Sequence, residues 1–375
     1  MPRKQGDRYL PSALAGAAAT AAGNGLARFA YVPLFPAMIG AGWVDGGQAG
    51  ALGAVALLGS LLGTLAGRHS VERNDVPKLL NFGMLLLVLS LIACAWNAGF
   101  WWLMVWRCLA GVGGGLLMAI AGPATLAVVP PCRKGVAGGI VVAGVGFGIV
   151  GGALSVPALL HGGVAAAWSG LAALVALLWM LAHRHWPRAQ LNRPPSGTPT
   201  HGNLLVVTYA VHSAGMVPPM VYLADLAVRH HHMGIGAGAM IWLVFGLAGV
   251  AGGVLAGQLA DRISSRVTLQ VLLGTQVLAL ALCIQPSTIL IVPAAGLAGF
   301  AAVGVSTVTL TLAQEIAREH AVTLWIRCSA SFSVTQAIVG FLLAAAFVAT
   351  AESHLVVFSA GLGLSVLAFA AARRL

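Results

Sequence analysis

Three arginines stand where the chain is otherwise apolar: Arg28 in GNGLARFAYVPLFP (23–36), Arg107 at the head of RCLAGVGGG, and Arg327. A guanidinium is permanently charged and offers five donors in a planar fork, the geometry that holds a carboxylate or phosphate by paired hydrogen bonds. In the middle of a membrane-spanning helix it costs at least ~2.5–3.5 kcal/mol on insertion scales, so each is expected to face a polar interior or reach a surface. A second chemistry is proton exchange. His212 lies in VHSAGMVPPMVYLAD (211–225) and is the group near mid-span whose ordinary pKa suits it. A neutral histidine bonded to a neighbouring helix stands beside that reading with equal weight. Asp225, at the end of the same stretch, is either a gate or a solvated helix end.

The elements that position these groups are helices. Hydrophobic residues make up 59% of the chain and charged ones 8%, with 49 glycines, which excludes an ordinary soluble domain. Apolar runs long enough to cross a bilayer recur throughout. The expectation is an all-α membrane protein of twelve spans, near 11–39, 47–67, 78–97, 100–129, 136–160, 164–183, 203–228, 236–259, 268–286, 288–313, 322–350 and 354–372. The Pro-rich basic stretch HRHWPRAQLNRPPSGTPTHG reads as a cytoplasmic linker, 183–202, between six-helix halves 1–182 and 203–375.

A net charge of +11 invites a nucleic-acid partner, but the placement of the cations argues otherwise. Of 20 Lys and Arg, sixteen fall in the termini and in alternate connections: Arg3, Lys4, Arg8, Arg68, Arg73, Lys78, Arg133, Lys134, Arg184, Arg188, Arg193, Arg262, Arg266, Arg318, Arg373 and Arg374. Arg229 alone falls on the opposite side. The positive-inside bias therefore puts both termini in the cytoplasm, with no nucleic-acid partner expected. The first apolar stretch is too long for a cleavable signal peptide. The cysteines at 94, 108, 132, 283 and 328 lack paired spacing and read as packing residues. RHHHM (229–233) reads as a solvated loop rather than a metal site, and Trp96, Trp101, Trp102 and Trp106 as an interfacial belt. No cofactor is expected.

The halves echo each other. GTLAGR (63–68) follows span two and GQLADR (257–262) follows span eight, and AGVGFGIVGG (143–152) pairs more weakly with ASFSVTQAIVG (330–340). Such repetition marks transporters built from two halves. Glycines every fourth residue, at 59/63/67, 144/148/152 and 249/253/257, each give a smooth helix face for close packing.

These residues together resemble the major facilitator superfamily. Gly257, Leu259, Ala260, Asp261 and Arg262 resemble its loop motif, Arg107 with Gly111, Gly113, Gly114 and Gly115 its fourth-helix motif, and GVGFGIVGG its fifth-helix motif. GLARFAYVPLFPAM and GVGFGI further resemble the YbfB/YjiJ-type bacterial branch. Two departures stand out: Gly67 occupies the place of the usual loop Asp, and Ile149 that of a proline common in exporters.

The resemblance implies two pseudo-symmetric six-helix bundles around a central cavity in the bacterial inner membrane. It places Arg28 and Arg107 on that cavity, about one helical turn apart in depth. No Asp or Glu lies at their depth, so a bound anion is expected there. Asn24, Tyr31, Tyr222 and Gln336 are further cavity candidates, His212 the candidate for proton coupling, and Asp261, Arg262 and Asp225 candidate gating residues. Arg327, near the end of span eleven, is expected to snorkel to the surface. The expected function is secondary active transport of a small organic anion, coupled to protons, by a monomer whose partners are that solute, protons and the bilayer. The alternatives are efflux of amphipathic drugs, which calls for a mid-span carboxylate, or a non-transporting sensor on the same fold. Enzymatic activity is not expected, since no Ser/His/Asp or metal-ligand constellation emerges.

Overall fold

The structure, a computed structural model, describes residues 9–70, 75–130, 134–189, 202–317 and 320–375. Arg3, Lys4, Arg8, Arg73, Cys132, Arg133, Arg193, Arg318 and the linker past Ala189 as far as His201 lie outside them, as do the side chains of Arg68, Lys134 and Asp261. The chain forms two compact units, Met1–Trp43 with Val55–Arg193, and Val44–Ala54 with Pro194–Leu375. Residues 44–54 group with the second unit although they precede the expected boundary at 183–202.

In the first unit the chain opens with α1 (Tyr9–Thr20), a π-helical segment (Ala21–Phe29) and α2 (Tyr31–Gly40), where the sequence predicts one continuous span. Proline explains the break. Pro33 brings no N–H, so the carbonyl of Phe29 loses its i+4 donor where the π segment ends. A π segment is rare and commonly marks a functional site. Glycine permits its packing: a Cβ on Gly25 would strike the backbone of Gly148, and one on Gly23 would lie 3.0 Å from the Cα of Gly114. Gly114 is on α5 (Phe100–Val128) and Gly148 on α6 (Lys134–Leu159). Thr20 Oγ1 donates to the Val141 carbonyl at 2.6 Å, tying α1 to α6.

Around this opening stand α3 (Gly46–Ser70), α4 (Val76–Cys94) and α7 (Gly163–Ala182). From Val55 onward α3 meets α5 backbone to backbone, Gly59 and Gly63 against the carbonyls of Cys108 and Val112. Trp179 and Trp186 both donate to Asn81 Oδ1, at 2.7 and 2.9 Å, fixing the end of α7 to α4.

The second unit opens in a similar way. After α8 (Asn203–Gly215) the helix breaks at Met216, then α9 (Val217–Asp225) runs into a second π segment (Leu226–His230). Pro218 and Pro219 occupy the first turn of α9 and deprive the carbonyls of Ala214 and Gly215 of their donors. Five helices follow: α10 (Ile235–Arg262), α11 (Ser265–Cys283), α12 (Ile291–Ala317), α13 (Ala321–Ala349) and α14 (His354–Ala372). Leu205, Tyr209, Leu269, Leu272, Val308, Leu312 and Leu324 form a core where α8, α11, α12 and α13 meet. Arg327 reaches Asn203 Oδ1 at 2.7 Å at the start of α8. Of the glycines at 249/253/257, the first two face Val303 on α12, where a Cβ would lie 3.1 Å away, while the closest approaches are at Gly252 against the Phe300 carbonyl and Gly299 against the Phe245 carbonyl.

Ten stretches among the described residues are long and apolar enough to span a membrane. The 46-residue stretch Ile140–His185 contains both α6 and α7, and the broken opening at 9–40 is outside the ten. Phe147, Met180 and Leu342 stand exposed at 72%, 65% and 63%, as lipid-facing side chains do. The chain is a multi-pass membrane protein.

The same substitution should have opposite signs at two glycines. Gly148→Ala forces a methyl into the Ala21 carbonyl and Gly25, an overpacking that typically costs ~1–3 kcal/mol. Gly122→Ala meets nothing within 4 Å and gains up to ~1 kcal/mol of helix propensity. Thermal unfolding of the detergent-solubilised variants should therefore shift down for the first and not down for the second. Equal shifts would show that the glycine contact does not set the packing.

Candidate functional site

In the first unit the site grows from the π segment. Arg28 is half-buried on it, its guanidinium carbon 5.0 Å from the Phe29 ring centroid. It lines a recess with Gly23, Asn24, Ala27, Ala56, Ser60, Ala110, Gly111 and Gly114. The cavity itself is about 10 Å³, about what a single water needs, so the recess as it stands admits only a water-sized group. Three polar side chains converge there, Asn24, Arg28 and Ser60, and no carboxylate lines it. All nine Asp and Glu of the chain lie outside the spans of this unit.

Arg107 is turned differently. It is 1% exposed on α5, Nη1 donates to the Ala27 carbonyl at 2.8 Å, and the guanidinium sits 4.3 Å from the Tyr31 ring and 5.6 Å from the Trp168 ring. Tyr31 and Trp168 stack at 6.2 Å. Arg107 therefore holds the π segment one residue away from Arg28, and Tyr31 floors it through a cation–π contact. Trp168, on α7, carried no sequence signal that set it apart from the interfacial tryptophans.

In the second unit His212, Gln276 and Ser365 form a buried chain of polar groups across α8, α11 and α14. His212 Nδ1 lies 2.5 Å from Gln276 Oε1, and Gln276 Nε2 donates to Ser365 Oγ at 2.8 Å and to the His212 carbonyl at 3.2 Å. Since the amide nitrogen is committed to two acceptors, its oxygen faces the imidazole and Nδ1 is the donor. Nε2 of His212 is buried without a hydrogen bond, and Tyr209 stacks on the ring at 5.8 Å. Gln276 and Ser365 were missed because single polar residues in apolar helices carry no periodic signal.

Asp225 belongs to another cluster. It is fully buried, with Oδ2 2.7 Å from His354 Nε2 and 3.4 Å from Arg229 Nη1. Arg229 Nη2 donates to Glu352 Oε2, and Glu352 Oε1 accepts from the Gly46 N–H at 2.8 Å. Partial burial pushes the Glu352 carboxyl up, but the hydrogen bond and charge of Arg229, the Gly46 N–H and His354 outweigh it and hold the group below the usual carboxylate range. Tyr222 packs on Phe347 at 5.0 Å, and Gln336 Nε2 reaches Met220 Sδ at 3.2 Å. Arg262 is exposed at the end of α10, and the Asp261 side chain is outside the described residues. The candidates thus fall into separate groups: Arg28 with Asn24, Arg107 with Tyr31, His212 by itself, and Asp225 with partners the sequence did not single out.

Gln276→Leu should leave the Nδ1–H of His212 unpaired in the core and cost about 1–3 kcal/mol. Ser365→Ala removes one weaker contact and should cost about 1 kcal/mol. Thermal unfolding of the purified variants checks the order; a larger loss from Ser365→Ala would contradict the bonding assigned to Gln276.

Comparison with solved structures finds the same fold. A bacterial homologue of the human lysosomal transporter Spinster aligns over 99% of this chain and 98% of its own, at TM-score 0.74 and 15% identity. The nucleoside transporter NupG aligns over 98% and 99%, at 0.77 and 10%. A bacterial homologue of the iron transporter ferroportin aligns over 98% of each chain, at 0.70 and 16%. No curated protein matches by sequence. Residues 20–373 match the family described as "Uncharacterised MFS-type transporter YbfB", and with that match across nearly the whole chain the protein belongs to this transporter family of the major facilitator superfamily.

Proposed function

We propose that the chain is a secondary active transporter that carries a small organic anion across the bacterial inner membrane by alternating access. The observation that carries this reading is the recess at Arg28. A half-buried guanidinium converges there with Asn24 and Ser60 in a unit whose spans contain no carboxylate. A carboxylate or phosphate on a small solute supplies the charge and the acceptors that such a fork is shaped for. Arg107 acts through the backbone, holding Ala27 and with it the neighbouring Arg28.

We read the broken opening as one crossing and α6 and α7 as two, which would raise the ten apolar stretches to twelve spans and, with the cation bias, supports cytoplasmic termini. Proton coupling falls to the second unit. His212, with one buried nitrogen bonded to Gln276 and the other free to accept, is one carrier of the proton. Tyr222 and Gln336 belong to the cavity wall of that unit, Asp225 to its gate, and Asp261 and Arg262 to the motif at the end of α10. The protein works as a monomer.

Reconstituted vesicles and a panel of small carboxylates, phosphates, sugars and cationic drugs test the proposal. Flux of at least one anion is expected. Arg28→Lys keeps the charge but not the fork and should raise KM by about tenfold or more, while Arg28→Gln should abolish anion flux with the protein still inserted. Transport confined to neutral or cationic solutes, or anion flux untouched by Arg28→Gln, would reject it.

A further inference from the structure

The cluster at the end of α9 contains two carboxylates, one guanidinium and one imidazole. His354, Asp225, Arg229 and Glu352 touch in that order, with Asp225 and His354 almost wholly buried. Ionised Asp225 and Glu352 against Arg229 leave one negative charge over. A single added proton makes the set neutral, and a buried set of charges is stable only when paired. The groups also divide their partners unevenly. His354 serves Asp225 at 2.7 Å, while Arg229 stands 3.4 Å from Asp225 and close against Glu352. Oδ1 of Asp225 is buried with no donor, so the deep carboxylate has spare capacity for a donor.

We infer that Asp225 and His354 form a one-proton site, and that its occupancy decides whether Arg229 and Glu352 clasp the backbone at Gly46, the start of α3. With the proton bound, the imidazolium satisfies Asp225 and leaves Arg229 to Glu352. Once the proton is lost, Arg229 is the sole cation for two carboxylates and is drawn to the buried one. Glu352 then loses its cation, and its grip on the Gly46 N–H with it.

The loop is built to let go. Ala351 and Glu352 adopt φ of 51° and 61°, the left-handed region that side chains with a Cβ rarely occupy, and hold it with the contacts to Arg229 and Gly46 in place. Glu352 stays the ionised carboxylate, held below the usual range by Arg229 despite its partial burial, which leaves the exchangeable proton to Asp225 and His354. Other ionisable groups face the cluster. The His230 ring lies 5.8 Å from His354, and His231 is held below the ordinary histidine range by burial and by its histidine neighbours, His354 among them. His232 borders these rings, Tyr222 faces Asp225 from α9, and Asp45 caps the α3 start, accepting from the Gln48 N–H. A positive charge on the histidine run opposes the proton on His354, so these rings shift the midpoint of the switch and leave its direction unchanged. The switch does not depend on what the Arg28 recess binds.

Hydrogen exchange of the peptide covering Gly46 to Ala54 in the full-length protein in nanodiscs, corrected for the intrinsic pH dependence of exchange, reads the clasp directly. From about pH 5.5 to about pH 8, protection in the wild type should fall by about threefold or more. Asp225→Asn removes the surplus negative charge, so its set is neutral without a proton and its protection should be flat with pH. Glu352→Gln has the same charge count and serves where Asp225→Asn fails to fold. Wild-type protection that is flat or rises with pH, or a variant that keeps the wild-type slope, would overturn the inference.

Discussion

A helix broken inside a bilayer exposes backbone groups that lipid cannot satisfy, so the protein has to satisfy them itself. Both units open on such a break, and much of the remaining structure answers it. In the first unit Arg107 reaches from α5 to donate to Ala27 inside the π segment, and Gly23 and Gly25 let that segment lie against the glycines of α5 and α6. In the second unit Ser213 Oγ bridges to the Phe332 carbonyl on α13 beside the proline break, and Gln276 donates to the His212 carbonyl. The candidate functional groups Arg28 and His212 sit at or beside these breaks, where the backbone already needs polar company.

The two breaks carry opposite chemistry. The first unit has arginines and no carboxylate in its spans; the second has a histidine bonded to an amide and, farther along, a buried aspartate against His354 and Arg229. A positive recess suits an anion, and titratable groups elsewhere suit protons. On the proposed reading the two tasks fall to separate units, and a carboxylate beside Arg28 would neutralise the positive charge proposed to attract the solute.

Much of this was legible in the sequence, and the failures are instructive. The apolar spans and the arginines stood out because charge is rare in apolar runs, and its rarity is the signal. The break at Pro218 and Pro219 was visible because proline is rare there too. The uninterrupted span expected over 11–39 contains a π segment over Ala21–Phe29, because periodicity registers apolar content and is blind to the hydrogen bond that Pro33 denies the Phe29 carbonyl. The partners of Asp225 were hidden since Glu352 and His354 lie over a hundred residues away and only folding brings them together. At 249/253/257 the spacing found a face that packs on α12 at Gly249 and Gly253, but it did not mark neighbouring Gly252, which makes the closest approach. Arg107 illustrates a subtler limit: its type and depth were read from the sequence, but its direction, toward a carbonyl and two rings, depends on the break that Pro33 creates.

The central claim is that the first unit holds an anion at Arg28, and equilibrium binding tests it without any assumption about coupling or direction. A ligand that binds the folded protein raises its apparent stability by mass action, by about 2.7 kcal/mol at a hundredfold excess over Kd. Melting curves of the purified wild-type protein should therefore rise with one or more small carboxylates or phosphates and stay still with their neutral isosteres, such as the corresponding amides or alcohols. A protein stabilised equally by the acid and its amide, or only by cations, would contradict the account.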